Sequence, residues 1–227
     1  MAGVNWDDDV SRLLSAGRDR EAAERGADLL SGVTPHDNYG GRMEPLAQFE
    51  QLGPVLGTVI AGLRPDQLDE PTPCAAFTVR GVLEHMIGGA TAFAAAYRGE
   101  APSEPDVADP IAGAMRSLGD LVASISAPGA LARTIDAPFG EIDGESFARF
   151  VVLDGLVHGW DLATATGQPY DPPSELVADA TEFAEHTLDP LRDGETFKAA
   201  VEPGATCTPI ERLAAYTGRR ISTSATR

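Results

Sequence analysis

Hydrophobic residues recur at every third or fourth position along most of this chain, which is the spacing that places them on one face of an α-helix. The spacing is regular from Leu46 to Leu63 and again from Val79 to Phe93. It predicts core helices over 44–63, 79–97, 111–125 and 145–166, a further helix over 174–190 and a closing helix over 209–218. Residues 133–142 and 196–202 are predicted to be short β-like pieces. Four core helices with mostly short connections predict a mainly all-α fold, a four-helix bundle with extra helices and a small β-like element.

Residues that stop or cap helices mark the ends of these segments. Pro65 ends the first core helix, because proline cannot continue the hydrogen-bond ladder. Thr78 is placed to cap the second core helix, and Gly167 is the natural C-cap of the fourth. Between the first two helices, the sequence PTPC at 71–74 predicts a stiff connection, because each proline fixes its own φ and restricts the residue before it.

The first 42 residues form a separate part of the sequence. Residues 6–31 predict a charged helix with a thin apolar stripe, and the turn-forming sequence GVTPHDNYGGR follows as a linker. We therefore predict an N-terminal extension over 1–42 and one helical domain over 43–219, a length that a single core commonly serves. The chain is predicted to fray from Arg219, with a flexible tail over 220–227.

Composition and charge narrow the classes of partner. Thirty-five acidic against seventeen basic residues give a formal net charge of −18, which repels phosphate backbones and anionic lipids, so we expect neither nucleic acid nor a membrane as partner. No apolar run reaches the ~20 residues of a membrane span, and the acidic N-terminus does not resemble a secretory signal. We expect a cytoplasmic protein, a monomer or a homodimer. Cys74 and Cys207 are far apart and predict neither a disulfide framework nor a thiolate-rich zinc site.

The fourth core helix carries the first candidate for chemistry. Each helical residue turns by ~100°, so Asp154, His158 and Asp161 fall within roughly a 60° sector of its surface. The rest of this helix is apolar nearly all round, which predicts that it is buried. Charged groups in a dry interior need partners, and a metal ion is one such partner. The Asp-x-x-x-His spacing is equally consistent with a simple salt bridge.

The second core helix offers a third ligand. His85 lies on the flank of its apolar face, beside Gly81 and Gly88, which leave space around the imidazole. Two imidazoles and one carboxylate, with a further position open for water or substrate, form the ligand set of catalytic zinc sites. A buried histidine that serves only packing is the alternative. His36, His186 and Cys74 are assigned no part in this site.

Two sequence motifs resemble those of a known family. They are P-T-P-C-x-x-F-T-V-R-x-V-L-x-H at 71–85 and D-G-L-V-H-G-W-D-L-A-T-A-T-G at 154–167, followed by the closing ERLAAYTGR. Together they resemble the mycothiol-dependent maleylpyruvate isomerase family, in an uncharacterised actinobacterial branch of the DinB-like metal-binding four-helix superfamily. The resemblance covers roughly residues 44–219.

The resemblance implies a zinc site. In that family zinc is held by a histidine of the second helix and by a Glu-x-x-x-His pair on the fourth, positions that correspond here to His85, Asp154 and His158. Aspartate replaces glutamate, which shortens one ligand by a methylene and leaves Asp161 as a competing carboxylate ligand or as an outer partner that orients a ligand. Nickel, iron and manganese also suit such ligands.

The resemblance also implies a thiol-dependent reaction. Zinc would lower the pKa of a small-molecule thiol, mycothiol in this family, so that the thiolate attacks a small electrophile. The characterised isomerase carries a larger α/β domain at its C-terminus, whereas about forty residues follow Asp189 here, so transferase chemistry is as consistent with the sequence as isomerisation. A metal-dependent hydrolase and a non-catalytic binding module stapled by metal are the alternatives.

Overall fold

The helical spacing of hydrophobic residues is realised as six α-helices and one hairpin in the computed structural model, which describes residues 43–137, 140–189, 192 and 199–221. The elements are α1 (Pro45–Ala61), a short 3-10 helix (Pro65–Gln67), α2 (Val79–Arg98), α3 (Pro110–Ile125), β1 (Thr134–Ala137), β2 (Gly140–Asp143), α4 (Gly144–Thr166), α5 (Ser174–Thr187) and α6 (Pro209–Tyr216). The fold is mainly α, as predicted, and is consistent with a DinB-like architecture.

Local capping explains where the helices begin. The Thr78 hydroxyl accepts a hydrogen bond from Gly81 N at the start of α2, as predicted. Asp109 and Asp143 cap α3 and α4 in the same way, and Thr208 forms a reciprocal capping box with Glu211 at α6. Each cap satisfies backbone N–H groups that have no partner within the helix. Short polar side chains thus fix the start of all four helices.

The core is built around α4. This helix is buried on almost every side, as its apolar composition predicted, and α1 and α2 both pack against it. The approach of α1 is close, because a Cβ at Gly155 would lie 2.9 Å from Cδ2 of Leu52. α3 packs mainly on α2, while α5 and α6 both contact α4. Because of this central position, the polar side chains of His158 and Asp161 lie in the protein interior.

A two-stranded antiparallel hairpin leads directly into α4. Thr134 pairs with Asp143 and Ile135 with Ile142, and both isoleucines are buried. Next to the hairpin, the Tyr97 hydroxyl of α2 donates a 2.7 Å hydrogen bond to the Gly144 carbonyl. Burial, aided by the charge of Asp143, raises the pKa of Tyr97 above its usual range, so this hydroxyl stays protonated as a donor. The hydrogen bond ties α2 to the first turn of α4.

Two predictions near the C-terminus are wrong. Residues 199–202 form no strand: the Val201 amide instead donates to the Ala215 carbonyl at the end of α6, where helix carbonyls lack helical partners. Arg219 is not frayed but 5% exposed and ion-paired. The remainder of the predicted strand, the predicted helix over 6–31, His36 and residues 222–227 lie outside the described residues. The domain boundaries at 42 and 219 stay predictions.

None of the described helices has both the length and the apolar character that a membrane span requires. This finding agrees with the hydropathy of the sequence.

We expect substitutions at two glycines to change stability in opposite directions. Gly167 ends α4 with φ of 68°, a left-handed conformation that costs an alanine about 1 kcal/mol, and a Cβ there would meet no other atom within 4 Å. Gly119 lies exposed within α3, also with open space around it. Gly167→Ala should lower the free energy of unfolding by about 1 kcal/mol, and Gly119→Ala should raise it by about 0.5–1 kcal/mol. Urea unfolding measures both, and changes of the same sign would contradict the assignment of α4's end.

Candidate metal centre

The contact between α2 and α4 brings three of the predicted site residues together. His85, Asp154 and His158 each offer a ligand atom, and these atoms all lie within 4.8 Å of one another. Asp154 Oδ1 is 3.8 Å from His85 Nε2 and 3.4 Å from His158 Nε2. The two imidazole rings have centroids 4.8 Å apart and are tilted by 58°. Both rings therefore direct Nε2 towards the same carboxylate oxygen.

These separations suit a divalent metal better than direct hydrogen bonds. Ligand atoms at 2.0–2.2 Å from a tetrahedral zinc ion lie roughly 3.3–3.6 Å apart, close to the distances around Asp154 Oδ1. Ordinary N–H···O hydrogen bonds are shorter, at about 2.7–3.2 Å. Among the described residues, none makes a hydrogen bond of ordinary geometry to Asp154 Oδ1, although that atom is buried. The donor set of two imidazole nitrogens and one carboxylate oxygen fits a zinc-type ion.

The electrostatics of Asp154 also suit a ligand. Burial acts to raise the pKa of this carboxyl, but the nearby imidazoles of His158 and His85 lower it by more, so the net shift is well downward. The group is ionised at neutral pH, as a metal ligand must be. With 16% of its side chain exposed, Asp154 is also the most accessible of the three.

Asp161 lies on the other side of the His158 ring. Its Oδ2 is 3.2 Å from His158 Nδ1, and because a carboxylate only accepts, Nδ1 is the donor of this contact, while Nε2 faces Asp154 on the other side of the ring. The same oxygen accepts from Arg219 Nη2 at 3.0 Å and from Arg219 Nε at 3.3 Å. Of the two carboxylates that the sequence left open, Asp154 lies with both histidines, whereas Asp161 contacts the Nδ1 side of His158.

The surroundings of His85 differ from the expected open space. The Phe77 ring packs 5.5 Å from the imidazole, measured between centroids, and a Cβ at Gly81 would lie 3.0 Å from Phe77 Cδ1. Of the two glycines, only Gly88 has open space, since a Cβ there would meet no atom within 4 Å. Phe77 therefore fixes the His85 ring on one side, and Gly81 provides the room for Phe77.

A small cavity of about 20 Å³ opens beside Asp154. Its walls come from α4 and from the C-terminal segments: Phe150, Leu153, Asp154, Val157, Leu188, Thr217 and Arg219. Four of these side chains are apolar, and the polar ones are Asp154, Thr217 and Arg219. This volume is that of about one water-sized group, which leaves room for a single further ligand atom beside Asp154.

Among the described residues, no other histidine or cysteine belongs to this group of three. His186 is exposed on α5, with Nδ1 2.8 Å from the Glu182 carbonyl. Cys74 and Cys207 are both buried, and no disulfide joins them, in agreement with the sequence analysis. Arg219 is the site residue that sequence reasoning missed. It belongs to the closing ERLAAYTGR motif, but a single arginine after a glycine has no spacing that indicates burial.

Comparisons with known proteins agree with the resemblance in the sequence. A family model described as the mycothiol maleylpyruvate isomerase N-terminal domain matches residues 49–163, which include all three candidate ligands. The uncharacterized protein Rv0738 of Mycobacterium tuberculosis and its counterpart MT0763 in another strain are each 32% identical to this chain over 184 residues. The match covers 79% of this chain and 100% of each relative. No solved structure matches significantly.

Proposed function

The chain belongs to the mycothiol maleylpyruvate isomerase N-terminal domain family, and we propose that it is a zinc-dependent enzyme that joins a small-molecule thiol to an electrophile. The observation that carries this proposal is the convergence of His85 Nε2, His158 Nε2 and Asp154 Oδ1 on one point beside a pocket. Three protein ligands with an open fourth position are the arrangement of catalytic zinc, whereas structural zinc sites have four protein ligands. We propose mycothiol as the thiol, because the description of the family to which the chain belongs names it.

Each residue of the site has a separate task in this proposal. A zinc ion bound there supplies Lewis acidity that lowers the pKa of a coordinated thiol. His85 and His158 provide neutral nitrogen ligands, and Asp154 adds one negative charge on the side that faces the pocket. The apolar walls exclude water from the reacting atoms, which strengthens every electrostatic interaction within the site.

The ligand assignment is tested by His85→Ala. We expect wild-type protein to retain about one zinc per chain after dialysis, and His85→Ala to lose most of it, because two of the three protein ligands then remain. Elemental analysis measures the metal, and circular dichroism checks the fold. His186→Ala is the matched control, since His186 is an exposed helical histidine outside the site. Full zinc content in folded His85→Ala would refute the assignment.

The thiol reaction is tested separately on the zinc-loaded protein. Calorimetric titration with mycothiol should show saturable binding that a chelator abolishes, and consumption of an aromatic halide should require the thiol. Turnover without thiol would instead indicate a metal-dependent hydrolase, in which water occupies the open position. Zinc that raises the melting temperature, with no binding of mycothiol, would indicate a metal-stapled binding module.

A further inference from the structure

Arg219 connects the C-terminal segment to the candidate metal centre. It follows α6 by three residues, yet its side chain is buried and reaches Asp161 on α4. Two nitrogens of the guanidinium, Nε and Nη2, donate to the same oxygen, Asp161 Oδ2. A third, Nη1, is 3.4 Å from the Thr217 carbonyl. The guanidinium is thus held by its own segment while it holds Asp161.

The oxygen that Arg219 holds is also the oxygen that faces His158. Asp161 is fully buried, and its Oδ2 is 3.2 Å from His158 Nδ1. A carboxylate with one partner can rotate about its terminal bond, because that torsion is soft. Two further donors on the same oxygen, Arg219 Nε and Nη2, restrict this rotation and keep Oδ2 directed at Nδ1.

We infer that Arg219 is a positioning residue for the metal centre: through Asp161 it fixes the ring orientation and tautomer of His158, so that Nε2 points to the ligand position. The inference rests on the proposed function for its effect on metal binding, although its effect on the tautomer of His158 does not need a metal. A lysine could not replace the arginine fully, because its single ammonium lacks the planar fork that contacts the carboxylate with two nitrogens.

A merely structural role would have different consequences. Arg219 lines the pocket together with Thr217 and Asp154, so it also docks the segment after α6 against α4. If docking were its only role, its loss would lower stability and leave metal affinity and the His158 ring unchanged. A positioning role predicts that the loss of Arg219 changes both the metal affinity and the state of the His158 ring. The metal affinity should fall by the roughly 10–100-fold that outer partners of metal ligands contribute.

The experiment compares Arg219→Met and Arg219→Lys in the full chain. Competition with a chromophoric chelator should show zinc binding about 10- to 100-fold weaker in Arg219→Met, and weaker by a smaller factor in Arg219→Lys. In metal-free protein, the ¹⁵N shifts of His158 should report Nδ1–H in wild type and a mixture of tautomers in Arg219→Met. Arg116→Met is the control, because Arg116 forms an exposed ion pair with Asp106.

The outcomes separate this inference from the proposed function. Wild-type zinc affinity and wild-type ¹⁵N shifts in Arg219→Met would overturn the inference while leaving the metal site intact. If Arg219→Met does not fold, Arg219→Lys, which keeps the charge, provides the test. An unchanged zinc affinity and unchanged ¹⁵N shifts of His158 in Arg219→Lys would again overturn the inference. Absence of zinc binding by the wild-type protein would refute the proposed function, and the ¹⁵N shifts would still test the positioning of His158.

Discussion

Asp154→Asn is expected to weaken zinc binding by at least about 100-fold, and Asp161→Asn by about 10- to 100-fold, because loss of a direct ligand should cost more than loss of an outer partner. Asparagine keeps the size of each side chain, so packing around α4 is preserved. Its amide is a poor ligand compared with an ionised carboxylate, and at Asp154 it also removes the charge that faces the pocket.

The order of the two effects is the informative result. Asp154 Oδ1 lies beside the Nε2 atoms of both histidines, whereas Asp161 contacts only the Nδ1 side of His158. A larger loss in Asp161→Asn than in Asp154→Asn would mean that the carboxylates exchange roles when metal binds. Competition with a chelator of known affinity gives both values, and thermal unfolding of the metal-free variants serves as the control for folding.

The pair on α4 was predictable from the sequence, and its connection to α2 was not. Asp154 and His158 are four residues apart, and the geometry of a helix alone puts them on one side. Hydrophobic periodicity tells which face of a helix is buried, but it does not tell which other helix that face meets. His85 was offered as a third ligand from its small neighbours on the second helix, and the family resemblance supported it; the packing of α2 against α4 places its Nε2 3.8 Å from Asp154.

The residues around the site were less predictable for a related reason. Arg219 acts through a contact 58 residues away in the chain and Phe77 through a ring contact with His85, and neither belongs to a repeating pattern. The predicted strand failed likewise over its described part, residues 199–202, because nothing in the sequence there identifies a partner strand. At residue 201 the backbone hydrogen bond goes to the end of a helix. Local signals, such as the Thr78 cap and the Gly167 C-cap, were predicted correctly, since each depends on its immediate neighbours.

A second buried carboxylate, away from the metal centre, is expected to govern stability. Asp179 on α5 accepts through Oδ2 from Gln48 Nε2 on α1 and, at 3.4 Å, from Arg149 Nη1 on α4. The same Arg149 nitrogen donates to the Met43 carbonyl at 2.9 Å. One carboxylate thus joins three helices and the start of the described chain. Its loss would leave a largely buried guanidinium and a buried amide without their shared acceptor.

Asp179→Ala should lower the free energy of unfolding by about 3 kcal/mol, the lower end of the range for removal of one partner from a buried ion pair. The lower end applies because Arg149 is 15% exposed and gains some water. For a chain of this size the change corresponds to a fall in melting temperature of roughly 6–12 °C. Asp120→Ala is the matched control: Asp120 pairs with Arg98 at 3.0 Å, but its side chain is 57% exposed, and exposed pairs contribute little. Calorimetry on protein freed of metal by a chelator separates this effect from metal binding. Equal melting temperatures for the two variants would show that Asp179 does not hold the helices together.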